Sequence, residues 1–92
     1  MRVKEKAIRR KKNIKTGDKV SLLVLYNDNF NTFDHVIKAL VEVCGHDYIQ
    51  AEQCALIVHY RGSYEIKSGT SEILAAMSRS LNARGLNSLV VI

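Results

Sequence analysis

The sequence predicts an α+β fold: a small three-stranded antiparallel sheet covered on one face by three helices, in the order β-α-α-β-α-β. Three observations predict it. An apolar run over Val20–Tyr26 is rich in strand formers, two helical periods follow it with almost no linker, and a short alternating stretch, a third helical period and an apolar terminus complete the chain. Ninety-two residues make one domain with a modest core, which favours a binding module over an elaborate active site.

The first strand, Val-Ser-Leu-Leu-Val-Leu-Tyr, is too continuous to alternate cleanly, so it is expected at the sheet centre or buried on both faces. It stops at Asn27-Asp28-Asn29, whose short polar side chains favour turns and helix entries. Phe33, Val36, Ile37, Leu40, Val41 and Cys44 then form the stripe of an amphipathic helix that Asn31 is expected to cap and Gly45 to end. Asp47 is expected to cap the second helix with Gln50 in the capping-box position, its inner face made by Ala51, Cys54, Ala55 and Val58 before Gly62 stops it.

Ser63–Lys67 alternates as a half-buried strand, and Lys67-Ser68-Gly69 reads as a turn leading to Thr70 as the next cap. Ile73, Leu74, Met77 and Leu81 are the expected inner stripe of the third helix, Gly85 its stop and Ser88–Ile92 the last strand.

Charge is divided unevenly. Residues 1–19 hold nine basic and two acidic side chains, a net +7, while residues 20–92 hold five basic and seven acidic, a net −2. Residues 1–17 are therefore expected to be a disordered basic extension and residues 18–92 the folded domain. The arm admits one alternative reading, an RNA- or ribosome-associated module that binds phosphates nonspecifically, although the folded part shows no basic face and no specific nucleic acid is expected. No apolar segment is long enough to cross a bilayer and none follows the basic start as a signal peptide requires, so the expected setting is the cytoplasm, away from membranes.

Cys44 and Cys54 match no metal spacing and sit on apolar stripes, so they read as buried reduced thiols; no metal or cofactor is expected. A cysteine paired with His59 as a nucleophile lacks any accompanying oxyanion-type glycine motif, so the chain is not expected to be an enzyme. Asn27, Asp28 and His59 offer an amide oxygen, a carboxylate and an imidazole nitrogen, all acceptors, which together suit a cationic ligand rich in donors such as a free α-amino group. The same residues also fit a plain turn, a cap and a helix-end histidine.

The strand followed by Asn27-Asp28-Asn29-Phe30, and Val58-His59-Tyr60-Arg61-Gly62 with Ala51 and Gln53 upstream, resemble the ClpS family, adaptors that deliver N-degron substrates to a Clp AAA+ protease. The resemblance runs from about Lys19 to Ile92. It implies that Asn27, Asp28 and His59 hold the substrate α-amino group. It further implies a pocket for the first side chain walled by Leu25, Asn31, Phe33, Val36, Ala55, Val58 and Leu89. Tyr60 and Glu72 would meet the N-terminal domain of a ClpA- or ClpC-like unfoldase, with Met77 where the family has a lysine, and the adaptor would act as a monomer. Asn29, Asn31-Thr32, Phe33, Ala55 and Ser88 depart from the family pattern: the amino-group anchor looks kept and the side-chain pocket altered.

Overall fold

The computed structural model describes residues 20–92. The basic extension expected at residues 1–17, with the phosphate-binding arm read from it, lies outside the described residues. Strand β1 (Ser21–Tyr26) leads to helices α1 (Phe33–Cys44) and α2 (Tyr48–Arg61), strand β2 (Ser63–Gly69), helix α3 (Ser71–Ala83) and strand β3 (Asn87–Val91). The sheet order is β2-β1-β3 with both pairings antiparallel, so β1 is central, as its continuous apolar run predicts. The three helices cover one face.

Strand alternation turns Ser21, Leu23 and Leu25, each at most 1% exposed, toward the helices. Leu22, Val24 and Tyr26 take the other face, where Val24 is shielded by its cross-strand neighbours Glu65 and Leu89. The register between β1 and β2 slips after Leu23, so Ile66 is the extra residue of a bulge and turns into the core. Its carbonyl accepts a hydrogen from Nε2 of the buried His46 at 2.9 Å, while Nδ1 of that ring has no partner among the described residues.

Local chemistry fixes the helix ends. Asp47 accepts from the Gln50 N–H and caps α2, and Gly62 closes that helix with a left-handed φ of 93°. At α1 the structure corrects one expectation: Thr32, not Asn31, is the cap, its hydroxyl accepting from the His35 N–H at 3.1 Å. Helix α1 starts at Phe33, so Thr32 occupies the cap position and Asn31 lies one residue too early, its side-chain amide donating to Asp28 and Gly85 instead. Thr70 caps α3 as expected, but β2 runs on through Gly69, so the turn expected at 67–69 is strand.

The inner row of α3 is a second correction. Leu74, Ser78 and Leu81 are buried, whereas Ile73 is 56% exposed and Met77 only half-buried. A serine is tolerated in that row because its hydroxyl lies 2.7 Å from the hydroxyl of buried Ser88, which also donates to Asn82 Oδ1. Beyond α3 the N–H of Leu86 bonds the Leu81 carbonyl and that of Gly85 the Asn82 carbonyl, the pair of bonds that defines a Schellman turn. Gly85 takes the left-handed φ of 88° that such a turn requires, and Leu86 follows it into the core. Burying each large side chain of this core contributes roughly 1.5–3 kcal/mol.

Candidate functional site

Where β1 ends, its chain is held against the end of α2 by one backbone bond, Asn27 N–H to Gly62 carbonyl at 2.9 Å. This brings the Asn27–Asn29 corner alongside His59, one turn before the α2 cap. Between them opens a cavity of about 330 Å³ whose lining includes Asn27, Asp28 and His59 together with Leu25, Asn31, Phe33, Val36, Ala55 and Val58. The acceptors read from the sequence therefore share one concavity with most of the expected apolar wall. A volume at the low end of the usual ligand range, about 300–1,000 Å³, suits a single side chain and its polar head.

Leu89 is the exception and a correction. It is 54% exposed and absent from the lining. Ser88 pairs with Leu25 and takes the helix-facing position of β3, so alternation sends Leu89 to the opposite face of the sheet. Leu86 lines the cavity instead, delivered by the Schellman turn, and Tyr26, Asn29 and Thr32 complete it. The signal for Leu86 was present in the sequence: an apolar residue directly after a helix-ending glycine is the usual partner in such a turn.

At the rim, Asp28 Oδ1 accepts from the N–H groups of Phe30 and Asn31, each at 2.8 Å, and Oδ2 accepts from Asn31 Nδ2 at 2.8 Å. Burial pushes the Asp28 carboxyl up, but the Asn31 and Phe30 donors and nearby His35 outweigh it and leave the group below the ordinary carboxylate range. It is an anion at neutral pH. The His59 ring lies between two aromatics, its centroid 5.2 Å from the tilted ring of Phe33 and 5.0 Å from the edge-on ring of Tyr60. Phe33, 42% exposed, thus belongs to both the cavity wall and the imidazole's support.

The expected unfoldase contacts lie outside the cavity: Tyr60 is 79% exposed at the end of α2, and Glu72 is exposed in the first turn of α3. Burial pushes the Cys44 thiol up to about 11 and raises that of Cys54, so neither is a thiolate at neutral pH. Among the described residues no three His, Cys, Asp or Glu side chains are grouped to hold a metal, and no helix is long and apolar enough to cross a membrane.

Fold and cleft together define a small α+β binding domain whose notch, cut between a sheet corner and a helix tip, has an acidic, acceptor-rich rim over an apolar wall. The chain belongs to the ClpS family: the family model described as ATP-dependent Clp protease adaptor protein ClpS matches residues 18–89. Among solved structures it is similar to Agrobacterium tumefaciens ClpS2 bound to L-phenylalaninamide, with a TM-score of 0.74 and 15% identity, over 78% of this chain and 94% of that one. At that identity the likeness establishes the fold. No curated protein matches the chain.

Proposed function

We propose that this chain is an adaptor that captures proteins by a free, cationic amino terminus followed by a large apolar first residue, the N-degron of the ClpS family, and passes them to a Clp AAA+ unfoldase. One observation carries the reading: Asn27, Asp28 and His59 border the same cavity as Leu25, Val36, Ala55, Val58 and Leu86. An α-ammonium group offers three hydrogens and a positive charge, which the amide oxygen, the carboxylate and the imidazole nitrogen accept, while the first side chain enters the apolar notch. The ligand of the Agrobacterium ClpS2 structure, L-phenylalaninamide, has that chemistry, a free amine beside an aromatic side chain.

The magnitudes suit an adaptor. Charge-assisted hydrogen bonds contribute roughly 1.5–3 kcal/mol each and burial of one side chain another ~1.5–3 kcal/mol. After association costs of at least ~4 kcal/mol, the remainder corresponds to roughly micromolar binding, tight enough to hold a cargo and weak enough to release it. Tyr60 and Glu72, both exposed and neither lining the cavity, are the contacts proposed for the unfoldase.

Fluorescence anisotropy with short labelled peptides tests the capture. Peptides beginning with Phe, Tyr, Trp or Leu and carrying a free amine bind, and acetylating that amine abolishes binding. Equal affinity for the acetylated forms overturns the reading.

A further inference from the structure

Asp28 sits on the connection between β1 and α1, where a carboxylate without support would sample several rotamers. Here two backbone N–H groups, those of Phe30 and Asn31, hold Oδ1, and the Asn31 side-chain amide holds the second oxygen, Oδ2. Asn31 Nδ2 has two hydrogens and donates both, one to Asp28 Oδ2 at 2.8 Å and the other to the Gly85 carbonyl at 2.9 Å. Gly85 belongs to the Schellman turn after α3, so its carbonyl direction is set by a left-handed backbone and by the two bonds that close the turn. The same turn is fastened a second time, here to α1 itself, because His35 Nε2 donates to the Arg84 carbonyl at 2.8 Å.

We propose that Asn31 is a positioning residue for amino-terminus capture: its single amide ties the Asp28 carboxylate to the Gly85 carbonyl, so the turn between α3 and β3 sets where the anion points. The inference rests on the capture function proposed above and adds a role to Asn31 that differs from a wall contact. The turn that anchors Asn31 also delivers Leu86 to the cavity, so the amino-group anchor and the side-chain wall share one mechanical support. The titratable groups near Asp28 are His35 on α1 and, across the cavity, His59 on α2; Arg84 on the turn is paired with Glu42.

The test compares the full chain with Asn31→Ala and with Asn31→Leu, which keeps the side chain's size but has no donor. Thermal unfolding first establishes that each variant folds. Expected is a loss of roughly ten- to a hundredfold in affinity for free-amine peptides, the same for Phe, Tyr and Leu at the first position. A carboxyl-carbon NMR titration of Asp28 is expected to move to higher pH in both variants, since the carboxylate loses a donor. A changed ranking of first residues with the Asp28 titration unmoved assigns Asn31 to the wall and overturns the inference, as does unchanged affinity in Asn31→Leu. If the unsubstituted chain binds free and acetylated peptides alike, the capture function itself fails. If it distinguishes them and the variants bind as it does, only the role of Asn31 fails.

Discussion

The backbone N–H of Asn27 is bonded to the carbonyl of Gly62 at 2.9 Å, and through it the end of a central strand is fixed to the end of a helix that carries His59. The bond continues the β1–β2 pairing, in which Tyr26 lies opposite Ser63, beyond the end of the strand, and so sets the corner beside His59. A Cβ at Gly62 would meet nothing within 4 Å, so substitution there strains only the backbone. Gly62→Ala is expected to cost about 1–2 kcal/mol in urea unfolding, the penalty of a left-handed non-glycine residue, and to weaken free-amine peptides beyond that stability loss. Binding unchanged in the folded variant would show that the contact does not set the anchor.

First-residue selectivity is expected to follow Phe33 and Ala55. Phe33 narrows one side of the cavity while leaning on His59, and Ala55, 3% exposed, leaves room at another. Ala55→Met fills that space and is expected to lower affinity for Phe and Trp peptides about tenfold while sparing smaller side chains. Phe33→Met is expected to reorder the series Leu, Phe, Tyr, Trp and Ile. An identical series in both variants counts against a wall made by these residues.

The pH dependence of stability follows from Asp28. Its carboxyl lies below the ordinary 3.8, so the folded state holds the anion more tightly than the unfolded chain does. The resulting stabilisation is fully present above about pH 3.8 and is lost as pH falls through the lower folded value. Asp28→Asn is therefore expected to be less stable than the parent at neutral pH and equally stable in strong acid, read by urea unfolding across that range. A difference that persists in acid would point to packing as the cause.

For binding, the part played by His59 is tested by taking away its ring nitrogens. His59→Phe keeps an aromatic ring beside Phe33 but offers no acceptor, and is expected to weaken free-amine peptides about tenfold, whereas His59→Gln, which keeps an amide oxygen, is expected to lose less. Unchanged affinity in His59→Phe would remove His59 from the anchor.

Behind the cavity, Ser78 and Ser88 share a buried hydrogen bond at 2.7 Å. Ser88→Ala leaves the Ser78 hydroxyl and Asn82 Oδ1 without that partner and is expected to cost about 1–3 kcal/mol. The double Ser78→Ala, Ser88→Ala variant is expected to cost less than the sum of the two single variants. Strict additivity in urea titrations would show that the two hydroxyls do not interact.

Elements whose causes are local were legible in the sequence. The apolar run of β1, the cap at Asp47 and the stop at Gly62 each depend on residues within one or two turns. What escaped depends on partners far along the chain. Asn31 reads locally as a cap, yet its side-chain amide serves Gly85 far along the chain, and the inner row of α3 includes Ser78 because Ser88, ten residues on, supplies its partner. The parity of β3 is decided by the pairing of Ser88 with Leu25, which takes Leu89 off the wall, while the turn that closes α3 brings Leu86 onto it. Asn27, Asp28 and His59 border one cavity because a short corner and a helix end, each readable locally, are set side by side by the β1–β2 pairing and the Asn27–Gly62 bond.

The notch borrows its sides from the first, middle and last portions of the described chain, with Leu25, Ala55 and Leu86 all facing one hollow. No fragment of the molecule can therefore carry a partial version of it. If the proposed capture holds, a clip in any of these segments is expected to remove the notch as a whole, and only copies that have finished folding would grip a cargo.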